Sequence, residues 1–178
     1  QVETVIASDS FNRANESPLV VGGNWQRFTA GGVVDLTGNE IAGVSGDALY
    51  HWQGSGAFDG PSQFARAKVT NAAGQVGLVL LGTGDQALVV AWNGGTLYIY
   101  WYSAGVYQGQ LTTLASTLQN GDVIEALLDG GTVYAKINEI IVASVANTTT
   151  LSSGRPGFET FLTGAKLDDW AGGILTQG

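Results

Sequence analysis

Cysteine and methionine are both absent from the 178-residue chain, and histidine occurs once, as His51. Without cysteine there is no disulfide, no thiolate metal site and no thiol nucleophile, so thiols say nothing about the redox compartment. A single imidazole argues against His-rich metal centres and against most acid–base machinery built on histidine. Basic residues are scarce too: seven Lys and Arg stand against fifteen Asp and Glu, a net charge of −8. That sign repels phosphate backbones and anionic bilayers, so neither nucleic acid nor a membrane surface is an expected partner. No apolar run approaches the ~18 residues of a membrane span. No basic segment precedes an apolar one at the N-terminus, as a signal peptide requires. A chain that starts at Gln1 and lacks methionine is expected to have been processed, trimmed or excised from a longer polypeptide.

What the chain has in plenty is glycine, 27 residues, with 44% hydrophobic and only 12% charged residues. This composition suits a well-filled core and many tight turns, and it excludes disorder. The length suits one domain, read as residues 1–173, with 174–178 as a tail or linker stub. Apolar residues alternate with a period of two between closely spaced turn signals, which predicts an all-β antiparallel sandwich. About fourteen short strands are expected, from Asn24–Phe28 to Lys166–Trp170.

Two hairpins can be paired residue by residue. Asn93-Gly94-Gly95 and Asp129-Gly130-Gly131 supply the positive-φ positions that two-residue turns need. In the first, Trp92 faces Leu97, Val90 faces Ile99 and Leu88 faces Trp101, an apolar set that belongs to the core. Tyr98, Tyr100 and Tyr102 then stand on the other face over Ala91, Val89 and Ala87. In the second, Ile124, Ala126 and Leu128 share a face with Val133, Ala135 and Ile137, while Glu125 pairs with Lys136 outside. Such a cross-strand ion pair is structural rather than catalytic. Trp25, Trp92, Trp101 and Trp170 are assigned to the core, as bulky indoles usually are.

Several stretches together resemble a known family. They are Asp9-Ser10-Phe11-Asn12-Arg13-Ala14-Asn15, Gly22-Gly23-Asn24-Trp25, Val76-Gly77-Leu78-Val79-Leu80, Val90-Ala91-Trp92-Asn93-Gly94, Gly154-Arg155-Pro156-Gly157-Phe158 and Leu167-Asp168-Asp169-Trp170. In this order they resemble the concanavalin A-like, laminin-G-like jelly-roll domains of bacterial and phage polypeptides. The resemblance implies two large antiparallel sheets face to face, one of them concave, with the N- and C-terminal strands adjacent. It leaves function open, because this fold hosts lectins, glycan-binding modules, glycosidases, lyases and virion or tail parts. An extracellular, cell-surface or virion location goes with it.

In such folds the concave face is where sugar sits. Aromatic rings stack on pyranose faces while polar groups bond the hydroxyls. The ligand-binding candidates are therefore Tyr98, Tyr100 and Tyr102, with Tyr50 and Trp52 as a second same-face pair. The competing reading is that strand tyrosines simply cover the sheet. The family also implies a structural calcium where terminal strands meet, with Asp9 and Asp168 as ligands. Against it, Asp9 can open a turn and Asp168 can pair with Arg13 or Lys166.

Catalytic signatures are missing. Related jelly-roll glucanases carry Glu-x-Asp-x-x-Glu on one strand, and no such run occurs. Gly82-Thr83-Gly84-Asp85 lacks the third glycine and the Lys-Ser/Thr of a phosphate loop. His51 has no visible Ser or Asp partner. The expectation is a non-catalytic carbohydrate-binding domain with a glycan as partner and no required cofactor. The alternatives are a structural or adhesive component that assembles through homo-oligomers or a virion, and a polysaccharide hydrolase or lyase.

Overall fold

The computed structural model describes residues 1–58, 60 and 62–177. Fifteen strands are found among them: β1 (Val2–Asp9), β2 (Trp25–Arg27), β3 (Val33–Thr37), β4 (Glu40–Ser45), β5 (Asp47–Trp52), β6 (Gln63–Asn71), β7 (Gln75–Gly82), β8 (Ala87–Asn93), β9 (Thr96–Ser103), β10 (Val106–Ala115), β11 (Val123–Asp129), β12 (Thr132–Ile137), β13 (Ile140–Ala146), β14 (Arg155–Phe161) and β15 (Lys166–Thr176). Among the described residues no helix is long and apolar enough to cross a membrane. The strands form two antiparallel sheets. One runs β13-β12-β11-β6-β15-β4-β3, with β1 on β15; the other runs β10-β9-β8-β7-β14-β5-β2. The architecture is a concanavalin A-like jelly-roll sandwich.

Both hairpins have the expected register. Asn93 pairs with Thr96 and Ala87 with Tyr102, and the turn between them places Gly94 and Gly95 at φ 58° and 88°. Glu125 pairs with Lys136, and their side chains meet at 2.9 Å. The N- and C-terminal strands are neighbours, as the resemblance implies: Val2 pairs with Thr176 and Asp9 with Trp170. Two sequence expectations need correcting. Strand β1 lies outside the strands expected from the sequence, because half of its residues are exposed without a clean alternation. Residues 174–176, expected as tail, complete β15 and pair with β1, whereas Gly178 lies outside the described residues. Gly172 and Gly173 hide this strand, since glycine is a poor strand signal.

A cluster of aromatic rings sits within the otherwise aliphatic core between the sheets. Trp25 meets Phe158 and Trp170 edge-on at centroid distances of 4.7 and 4.8 Å and Trp52 at 5.4 Å. Trp92 and Trp170 are buried as expected, and Trp101 is half-buried against the same cluster. Tyr50 and Trp52 belong here too, which overturns their assignment to a sugar-binding face. Tyr50 stacks on Phe158 at 5.2 Å and Trp52 on Trp170 at 5.7 Å. All of residues 48–52 are buried, so alternation within β5 cannot tell its inner face from its outer one.

Because Trp25 contacts four other aromatic rings, Trp25→Ala should cost about 3–5 kcal/mol, read as a fall in the urea midpoint with the slope unchanged.

Candidate functional site

The outer face of the seven-stranded sheet carries a hollow of about 200 Å³. Its lining includes Asp47, Gln75, Tyr98, Tyr102, Tyr107 and Gln110. It exists because the sheet curls. Tyr102 on β9 donates its hydroxyl to Asp47 Oδ2 on β5 at 2.8 Å, although β8, β7 and β14 lie between them. Four strand spacings in a flat sheet come to roughly 19 Å, beyond the combined reach of the two side chains. The face is therefore concave. Its floor is kept low by small residues: Tyr98 sits opposite Ala91, and Ala91 opposite Gly77. A Cβ on Gly77 would come within 2.7 Å of Ala91 Cβ and 2.4 Å of the Val90 carbonyl oxygen, so only glycine fits there.

The three tyrosines share this face as expected, but they do different things. Tyr98 and Tyr102 are half-buried, with one ring side toward the hollow. Tyr100, expected as a solvent-facing stacking ring, is only 6% exposed and belongs to a buried cluster with Phe28, Leu49 and Val89. Tyr107 on β10, 49% exposed, brings its ring within 5.9 Å of Tyr100 and 5.7 Å of Tyr102. It completes an aromatic group that the alternation of β9 alone does not reveal.

Beneath the rings lies a pair of carboxyl groups. Glu159 on β14 is fully buried; its Oε1 accepts from Gln75 Nε2 at 2.8 Å and from the Tyr100 hydroxyl at 3.3 Å. The same hydroxyl reaches Asp47 Oδ2 at 3.1 Å. Burial, followed by the nearby Asp47 charge, raises the Glu159 carboxyl well above the ordinary carboxylate range and favours its protonated form. The Tyr100 hydroxyl is pushed up by burial and by both carboxyls, and that of Tyr102 by burial and Asp47. Asp47 and Glu159 meet at the Tyr100 hydroxyl, which lies 3.1 Å from Asp47 Oδ2 and 3.3 Å from Glu159 Oε1. A retaining glycosidase needs both carboxyls at the substrate, and Glu159 has no surface with which to touch one. Neither carboxyl was singled out from sequence. Glu159 alternates with core-facing Phe158, but only the order of β7, β14 and β5 in the sheet brings it to Asp47.

The residues proposed for calcium are engaged by the protein's own groups. Asp9 is saturated by donors of the protein itself: the Phe11 amide at 2.7 Å, Trp25 Nε1 at 2.8 Å, and Arg13 at 2.8 and 3.0 Å. Asp168 accepts from the Asp169 amide and faces Lys68 across the β6–β15 pair. Arg13 and Lys166, its expected partners, are taken by Asp9 and Glu16 and by Glu40. No cluster of three or more His, Cys, Asp or Glu side chains occurs among the described residues. Asp9 opens the turn that begins the loop to β2 and ties it to the core indole of Trp25. His51 is also a structural residue: burial and, secondarily, the charge of Arg155 lower its pKa to about 4, which keeps it neutral.

Known structures share this fold. A carbohydrate-binding module, CBM66, from Bacillus subtilis aligns over 85% of this chain and 96% of its own, at 10% identity and a TM-score of 0.65. An endo-β-1,3-glucanase from Pyrococcus furiosus aligns over 99% and 96%, at 11% identity and a TM-score of 0.61. A Bacillus subtilis protein of unknown function with a galectin-like fold aligns over 87% and 91%, at 12% identity and a TM-score of 0.60. No family model and no curated protein sequence matches the chain. At these identities the likeness establishes the jelly-roll sandwich and leaves activity to the site.

Two tests follow from the buried groups. Asp9→Ala strips the acceptor from two buried or half-buried N–H donors and should cost about 3 kcal/mol in chemical denaturation, equally in calcium and in chelator. Glu159 holds its proton more tightly folded than unfolded, so its contribution is present below the unfolded pKa of about 4.3 and is lost as pH rises through the folded value. Glu159→Gln keeps the size of the side chain and its accepting oxygen without the titration. The variant should gain stability over the wild type as pH is raised, seen as a growing difference in melting temperature.

Proposed function

We propose that the concave sheet is a carbohydrate-binding surface and that the chain acts by binding rather than by turnover. The observation that carries this reading is the open hollow in which tyrosine ring faces stand beside one half-exposed carboxyl and two amide side chains. Rings of this kind cover the apolar face of a pyranose, and Asp47, Gln75 and Gln110 supply acceptors and donors for its hydroxyls. The likeness to a carbohydrate-binding module over nearly that module's whole length supports it. The contact rings in this reading are Tyr102 and Tyr107, flanked by Tyr98, while Tyr100 holds the carboxyl pair in place from below.

A second reading is polysaccharide hydrolysis, favoured by two carboxyls on one sheet face and by the likeness to a glucanase. The burial of Glu159 places it second. Assembly into a larger structure has one feature of its own, the uncharged edge strand β13 with Ile140 and Ile141 exposed.

A glycan array read with the wild type and with Tyr102→Ala and Tyr107→Ala tests the binding reading. Each truncation should weaken a bound glycan by roughly 1–3 kcal/mol with folding retained. An array without binding, or variants that bind as the wild type does, would remove the site. New reducing ends in the same wells would move the assignment to hydrolysis, and a stable oligomer that binds no glycan would move it to assembly.

A further inference from the structure

Asp47 and Tyr102 form a ridge between two hollows. On one side lies the tyrosine-lined hollow already described; on the other is a second, of about 270 Å³, walled by Phe28, Leu49 and Gly31–Gly32. Among the described residues, no Lys, Arg or His lines either one. The elements packed against Asp47 bring phenols from β9 and β10, the Gln75 amide from β7 and a second carboxyl, Glu159, from β14. Glu159 Oε2 is buried without a hydrogen-bond partner. Asp47 Oδ2 accepts from Tyr102 at 2.8 Å and lies 3.1 Å from the Tyr100 hydroxyl, whose single proton it shares with Glu159 Oε1, whereas Oδ1 has only that hydroxyl nearby, at 3.4 Å.

A carboxyl with a spare oxygen, bordered by ring faces and unanswered by any protein cation, has the chemistry that holds an ammonium group. The rings attract a cation through their negative faces, and the carboxylate completes a charge-assisted hydrogen bond. Resting on the glycan reading, we propose that this ridge selects a sugar bearing a protonated amine, an amino-sugar oligosaccharide whose ammonium sits at Asp47 Oδ1 and whose chain lies across Tyr102 into both hollows. An N-acetyl group or a hydroxyl at that point forfeits the ionic contact, and a uronic acid is repelled by the carboxyl pair.

The test is titration calorimetry of the wild type at about pH 6, where an amine of this kind carries its proton. The probes are glucosamine oligosaccharides, their N-acetylated counterparts and glucose oligosaccharides of equal length. The amine form should bind about tenfold more tightly than either other form. Asp47→Asn should abolish that preference, and Glu139→Gln, which removes one negative charge from the far sheet, should keep it. Equal affinity for the three probes, or a preference that survives Asp47→Asn, overturns the inference and leaves glycan binding standing. Failure of these probes together with silence across the wider glycan array overturns both.

Discussion

Two tyrosine hydroxyls reach across the seven-stranded sheet, and its concave side depends on them. Tyr102 ties β9 to Asp47 on β5, while Tyr100 ties it to Glu159 on β14 as well. These bonds span strands that are not neighbours, so they act as struts across the curl instead of rungs along a ladder. Tyr100 works in a place from which water is largely excluded, where an unmade hydrogen bond is expensive and a made one is strong. The small floor at Ala91 and Gly77 is the counterpart of the struts: larger side chains there would lift the rings off the sheet.

The carboxyl pair shows how a fold can carry a group at some cost to its own stability. Two acids side by side, with no cation among the residues that line the hollow, cannot both ionise cheaply, and retaining one proton resolves the conflict. The remaining negative charge is shared with the phenols. Burying such a pair adds little to the fold that apolar side chains would not add better. Its presence under an open hollow therefore points to what the hollow meets.

Much of the fold was legible in the sequence, because local chemistry specified it. The Gly94–Gly95 and Gly130–Gly131 turns set the register of two hairpins, and registers set faces; the division between core and outer residues on β8 and β9 followed. Where both faces of a strand are buried, that logic fails. Tyr50 and Trp52 looked like a surface pair and prove to be core, since every residue around them in β5 is buried as well. Of the site, the tyrosine face was readable, but the burial of Tyr100 and the meeting of Asp47 with Glu159 were not. These depend on which strands lie side by side and how far the sheet bends. Asp9 was visible as a motif residue, and its partner Trp25 was visible too; that one saturates the other is a fact of three dimensions.

The pairing of β1 with β15 has a mechanical side. Val2 and Thr176 face each other at one end of the pair, and Asp9 and Trp170 at the other. A force pulling Val2 away from Thr176 meets the hydrogen bonds one rung at a time, so the ribbon opens like a zip under light load. The opening meets its first strong resistance at Asp9, where Arg13, the Phe11 amide and the Trp25 indole converge on one carboxylate. Beyond that knot lies the aromatic core. Under tension the molecule is thus soft along its terminal ribbon and stiff behind it, and the concave face, which lies on the other sheet, stays intact while the ribbon yields.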